Sequence, residues 1–233
     1  MCEKIQKALQ GGLIVSCQAL QGEPLFGAGL MAPMALAAQE GGAAGIRANS
    51  VEDILEIKKI VDLPVIGLIK QEYSDSEVYI TPTTKEVDAL SACKADIIAV
   101  DCTRRSRPGG RTLADFWKEI RAKYPNQLFM GDCSDYEEGM YAAEMGLDFI
   151  GTTLSGYTSA TKGKSLPDFE LMTRLVKDCK IPVIAEGGIW TPEQLKRSFQ
   201  SGVFAAVVGS AITRPKEITR YFIEGSGCRT GNQ

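Results

Sequence analysis

Eight short apolar runs, each followed by a segment of helical composition, recur along this chain at spacings of roughly 20–35 residues. They cover Gly12–Ala19, Gly45–Ala48, Leu63–Lys70, Ala95–Asp101, Leu128–Cys133, Asp148–Leu154, Ile181–Ile189 and Ala205–Ala211. Strands apolar on both faces must be covered on both faces, and helices between consecutive strands supply the cover, so the pattern implies an α/β chain with a parallel sheet. A doubly wound open sheet is the rival arrangement. The count of eight, the length of 233 residues and the polar residues gathered at the carboxyl ends of several runs favour a closed (β/α)8 TIM barrel. No G-x-G-x-x-G opens the first helix, which counts against a dinucleotide fold.

Local signals agree with this division. Ser50 stands three residues before Asp53 as a capping arrangement requires, and Thr191 precedes Pro192 with Gln194 further on, a hydroxyl cap with proline at the first helical position. Gly41-Gly42 closes the alanine-rich segment 33–40. We expect a single barrel domain over residues 1–224, beginning with a short helix within 1–10. A last helix to about Ile223 and a flexible tail over 225–233 complete the expectation.

Composition narrows the chemistry. The net charge of −3 and the pI near 5.3 give no basic field for a nucleic-acid backbone, so an anionic substrate must be held locally. Seven cysteines are scattered without a C-x-x-C pair, which reads as reduced thiols in a cytoplasmic protein. No apolar stretch after Glu3 and Lys4 suggests a secretion signal, and no run reaches the ~18 apolar residues of a membrane span. The chain has no histidine, so proton chemistry must fall to Lys, Asp, Glu, Tyr or Cys.

Two runs end in opposite charges: Leu63-Pro-Val-Ile-Gly-Leu-Ile-Lys70 in an amine, Ile181-Pro-Val-Ile-Ala-Glu-Gly-Gly-Ile189 in a carboxylate followed by two glycines. In a ring of eight, strands three and seven stand opposite, so Lys70 and Glu186 would flank one substrate carbon. Taken singly, the lysine also reads as a solvated charge and the glutamate as an anchor for the glycine turn. Gly187 and Gly188 after strand seven, with Gly209 and Ser210 after strand eight, lie where barrel phosphate sites form, and Arg214 would add a charge-assisted fork. Tight strand-to-helix turns are the alternative reason for those glycines. Gln18, Arg47, Asp101 and Asp132 complete the inward-pointing polar ends. Asp101 is the candidate to orient Lys70, and the arginine-rich stretch 104–111 reads as a solvated loop.

Several blocks closely resemble the N-acetylmannosamine-6-phosphate 2-epimerase family. They are Leu13-Ile-Val-Ser-Cys-Gln-Ala-Leu20 with Glu23-Pro-Leu25, Gly45-Ile-Arg-Ala48, Pro64-Val-Ile-Gly67 with Lys70, Gly151-Thr-Thr-Leu-Ser-Gly-Tyr-Thr158, Val183-Ile-Ala-Glu-Gly187 and Val207-Val-Gly-Ser-Ala-Ile-Thr-Arg-Pro215. The resemblance implies a cytoplasmic barrel enzyme of sialic acid catabolism that epimerises C2 of a phosphorylated N-acetyl amino sugar without metal or nucleotide cofactor. It makes Lys70 and Glu186 the catalytic pair, Arg214 the phosphate-binding arginine, and Gln18, Arg47 and Asp132 sugar-binding positions. A homodimer fits both the family and the apolar residues of the last helix. Two departures stand out: Phe26-Gly replaces the histidine expected after Glu-Pro-Leu, and Gly209-Ser210 replaces a glycine pair. A Schiff-base aldolase using Lys70 and a non-catalytic phosphosugar-binding subunit are the competing readings.

Overall fold

Strand β1 (Leu13–Cys17) pairs in parallel with both β2 (Gly45–Asn49) and β8 (Ala205–Val208), and that double pairing closes the sheet into a barrel. Between them run β3 (Val65–Leu68), β4 (Ile97–Asp101), β5 (Leu128–Asp132), β6 (Phe149–Gly151) and β7 (Val183–Ala185), each parallel to its neighbours in chain order. The computed structural model describes residues 2–27 and 29–228. All eight strands of the expected (β/α)8 fold are present, most of them trimmed by a residue or more at the ends.

Alternation along each strand divides the apolar side chains between two cores. Ile14, Ile66, Leu68, Ile97, Met130, Phe149, Ile184 and Val207 point into the barrel, where helix α1 (Cys2–Leu9) adds Ile5 and Leu9. Val15, Ile46, Val65, Ile98, Phe129 and Ile150 point outward and pack under the helices. Those helices are α2 (Met31–Glu40), α3 (Val51–Ile60), α4 (Thr84–Ala92), α5 (Leu113–Lys123), α6 (Tyr136–Glu144), α7 (Phe169–Asp178) and α8 (Pro192–Gln200). The caps expected from sequence form: Ser50 accepts from the Asp53 amide at 3.2 Å, and Thr191 and Gln194 make a reciprocal capping box.

Three expectations change. The eighth strand stops at Val208, and Ser210 begins a one-turn helix, α9 (Ser210–Thr213), instead of continuing the strand. The final helix, α10 (Pro215–Ser226), runs two residues into the segment expected as a tail and ends on Gly227 in the left-handed conformation; residues 229–233 of that expected tail lie outside the described residues. The arginine stretch is only partly solvated. Arg107 is 1% exposed, donates to the carbonyls of Thr81, Pro82 and Asp101, and lies 3.8 Å from the centre of the Phe116 ring. Three carbonyl acceptors and an aromatic face replace the water it gives up, which is what permits a guanidinium there.

Candidate active site

Polar side chains from several strand ends meet in a cavity of about 260 Å³ at the carboxyl end of the barrel. Strand β2 contributes Arg47, the residues beyond β3 Lys70, the residue after β7 Glu186, and β1 with its extension Ser16 and Gln18. Gly187, Gly188, Gly209, Ser210 and Arg214 line the same space. Of the eleven residues singled out from sequence as inward-pointing, Asp101 and Asp132 do not line it.

Asp132 is fully buried and grips Arg47 with both oxygens, Nη1 to Oδ1 at 3.1 Å and Nη2 to Oδ2 at 2.6 Å. Arg47 Nη1 also lies 3.1 Å from Glu186 Oε2. Burial alone would weaken the arginine's hold on its proton, but the two carboxylates outweigh it and fix the positive charge. Asp132, expected from sequence to contact the sugar, does not line the cavity and stands against Arg47, whose guanidinium it holds.

Lys70 is anchored by its main chain. Its amide donates to Asn49 Oδ1 at 2.8 Å, and it bridges Ile80 in antiparallel fashion, so the backbone after β3 is tied to two other segments. Burial lowers the ammonium's pKa, the positive charges of Arg47 and Arg214 lower it further, and Glu186 and Asp132 restore part, leaving it at about 8. On the order of a tenth of the amine is thus neutral at pH 7, against well under a thousandth for an ordinary lysine. Asp101, expected to orient Lys70, is engaged elsewhere: it accepts from the Thr103 amide and hydroxyl and pairs with Arg105 at 2.7 Å.

Glu186 carries the opposite adjustment. Burial raises its pKa, Arg47 pulls it back, Asp132 raises it and Lys70 lowers it, leaving it at about 7. Its main chain is held by an unusual partner, since the Glu186 amide donates to Thr152 Oγ1 at 3.0 Å and the Thr152 hydroxyl donates to the Glu186 carbonyl at 2.8 Å. One hydroxyl takes the place of a ladder partner beyond the end of β6. Thr153 Oγ1 lies 2.6 Å from Asp132 Oδ1 and 3.3 Å from Glu186 Oε2, linking the two carboxylates. Gly187 and Gly188 then turn away with φ of 110° and 70°, and a Cβ on Gly188 would fall 2.4 Å from that of Leu166.

The cavity has further walls that sequence reasoning missed: Tyr79, Thr153, Tyr157 and Trp190. Trp190 stacks on Tyr221 of α10 with ring centres 5.0 Å apart, so the last helix supports one side. The Thr152-Thr153 pair directly follows a strand and carried a readable signal; Tyr79 and Tyr157 lie in loops whose course no local pattern fixes. Two buried polar atoms facing this region, Gln18 Oε1 and Arg47 Nε, have no hydrogen-bond partner among the described residues. An amine and a carboxyl on opposite strands, with pKa values drawn toward each other, can between them remove and return a proton at one carbon.

Comparison with known proteins follows the same line. The family described as "NanE: Putative N-acetylmannosamine-6-phosphate epimerase" matches residues 31–227. Proteins of Caldanaerobacter subterraneus subsp. tengcongensis and Clostridioides difficile, both described as "Putative N-acetylmannosamine-6-phosphate 2-epimerase", are 54% and 55% identical. The alignments cover 94% and 93% of this chain and 92% and 96% of theirs. A solved structure of the N-acetylmannosamine-6-phosphate 2-epimerase from Clostridium perfringens superimposes with a TM-score of 0.90 at 51% identity, covering 94% of this chain and 95% of that one.

Proposed function

The chain belongs to the N-acetylmannosamine-6-phosphate epimerase family, and from that premise we propose how its own residues carry the reaction. It is an isomerase that interconverts N-acetylmannosamine 6-phosphate and N-acetylglucosamine 6-phosphate in sialic acid catabolism. The observation that carries the assignment of roles is that Lys70 and Glu186, from opposite sides of the ring, line one cavity with pKa values displaced in opposite directions.

The C2 hydrogen of an acetamido sugar is acidic only beside a carbonyl, so the reacting form is the open-chain aldehyde. Removal of the proton gives an enolate, and its return on the other face inverts the centre. Neutral Lys70 takes the proton from one epimer while protonated Glu186 supplies one to the opposite face; the reverse direction uses the ammonium and the carboxylate. Arg47, held by Asp132, sits beside Glu186 where negative charge develops on the substrate. Gly187, Gly188, Gly209, Ser210 and Arg214 hold the phosphate, and Gln18 offers its free Oε1 to an N–H or hydroxyl of the sugar. Proton transfer of this kind calls on no metal or nucleotide.

Incubation of the protein with N-acetylmannosamine 6-phosphate in deuterated water tests this directly. Proton NMR is expected to show the C2 epimer accumulating with loss of the C2 hydrogen signal. Inversion with the C2 hydrogen fully retained in both pools would count against proton transfer through two solvent-exchanging groups.

No helix among the described residues is long and apolar enough to cross a membrane, and the seven cysteines are free thiols, which suits a cytoplasmic enzyme. A homodimer is the assembly we favour. Helix α10 has no buried residue, and Tyr221 and Phe222 are 47% and 68% exposed, an apolar face that a second copy would cover. Sedimentation equilibrium is expected to give twice the chain mass; a monomer at micromolar concentration would refute the dimer.

A further inference from the structure

The segment Glu23-Pro-Leu25 has no part in the proton transfer between Lys70 and Glu186, yet it reaches the site. Glu23 Oε1 lies 3.2 Å from Arg214 Nη2, and its other carboxylate oxygen accepts from the Leu20 amide at 3.1 Å. Two backbone bonds, Glu23 N–H to the Leu20 carbonyl at 2.9 Å and Phe26 N–H to the Glu23 carbonyl at 3.0 Å, lock the turn around it. Arg214 lines the main cavity, and with Gln18 and Thr213 it also lines a recess of about 120 Å³ to which Glu23, Pro24 and Leu25 belong. Arg214 is thus shared by the two spaces, and the carboxylate that holds its guanidinium lines the recess and not the main cavity.

We propose that Glu23 is an internal rival of the substrate phosphate for Arg214, so that this carboxylate sets the affinity of the enzyme for its phosphorylated handle. The inference rests on the reading of Arg214 as the phosphate-binding arginine. Glu23 offers a single contact from a pair of which both members are more than a quarter exposed, a kind of bond that contributes little. A phosphate offers two oxygens to the planar fork and carries more charge. Phosphate therefore wins the arginine, but it does so beside a carboxylate whose own turn holds it in place. Like charges about 4 Å apart weaken binding by about sixfold even at the dielectric of bulk water, and by more where the protein lowers it. Glu23 raises the Michaelis constant without touching the reacting carbon, and a phosphate-bearing product leaves more readily for it.

Inorganic phosphate, measured as a competitive inhibitor and by calorimetry, is the probe. In Glu23→Gln the side-chain amide oxygen still accepts from Leu20, so the turn is kept while the charge is lost; Ki for phosphate is expected to fall by at least about sixfold and KM to fall with it. Glu23→Ala is expected to move both constants in the same direction. An unchanged or higher Ki in Glu23→Gln would overturn the proposal and make Glu23 a strut that positions Arg214. Arg214→Gln tests the phosphate site separately from the rivalry. A Ki unchanged by that substitution would remove the arginine from the phosphate site, and it is then the assignment of Arg214 that fails.

Discussion

Replacing Lys70 with Met is expected to lower kcat by about 10²–10⁴-fold while making the protein more stable at pH 7. The first effect follows from removing the base that faces Glu186 across the cavity. The second follows from the environment that makes the amine useful: burial and the charges of Arg47 and Arg214 hold its folded pKa near 8 against an ordinary 10.5. Between those values the unfolded chain binds more protons than the folded one, so wild-type stability rises with pH across that window. Below pH 8 the folded protein carries the full penalty, up to about 3 kcal/mol, and above 10.5 it carries none. The variant escapes the penalty. Its melting temperature should exceed that of the wild type by several degrees at pH 7, with the gain fading as pH passes from 8 to 10.5. Retained turnover, or a melting temperature lower than wild type at pH 7, would remove Lys70 from its place as the buried base.

The pH dependence of turnover should be bell-shaped, and the same bell should describe both directions. In an exchange between two groups on opposite faces, each turnover begins with one proton shared between the pair and ends with one proton shared between the pair. Only which partner holds it changes. Both directions therefore draw on the singly protonated pair, which is most populated between the values near 7 for Glu186 and near 8 for Lys70. Activity falls on the acid side as the pair takes up its second proton, and on the alkaline side as it loses its last. Initial rates measured from each epimer across pH 5.5–9.5 would check this. A profile that rises to an alkaline plateau in both directions would mean that Lys70 serves as the only base, and the two-group scheme would fail.

The parts of this site readable from sequence are those fixed by strand register. Once eight parallel strands are placed, the residues at their carboxyl ends point into one mouth, which is why Lys70, Arg47, Glu186 and Gln18 could be brought together from the sequence alone. What was not readable depends on partners delivered by loops. Asp101 satisfied every local requirement for a neighbour of Lys70, but Arg105 returns from the following loop and takes its carboxylate. Asp132 stands at the strand end expected of a sugar ligand, and only the length of Arg47 reaching across from β2 places it one layer back. Arg107 belongs to a stretch whose composition reads as solvent-exposed; its burial rests on three carbonyls and an aromatic ring from separate segments, a coincidence that no periodicity announces. Thr152 is the intermediate case: its place after β6 is plain, while its service as a main-chain partner for Glu186 depends on where β7 stops.

The pairing of β1 with β8 has a consequence for the order in which the molecule can be assembled. During synthesis β1 is among the first elements available, yet its second neighbour arrives only with residues 205–208. Until then the ring is an open sheet with the apolar edges of β1 and of the latest strand unpaired, a state prone to pairing with other chains. Arg214 and the helix that backs Trp190 come later still. The substrate site is thus completed only after the ring has closed: a truncation before Ala205 removes catalysis and edge protection together, whereas one between Val208 and Arg214 leaves β1 paired with β8 and removes the site alone.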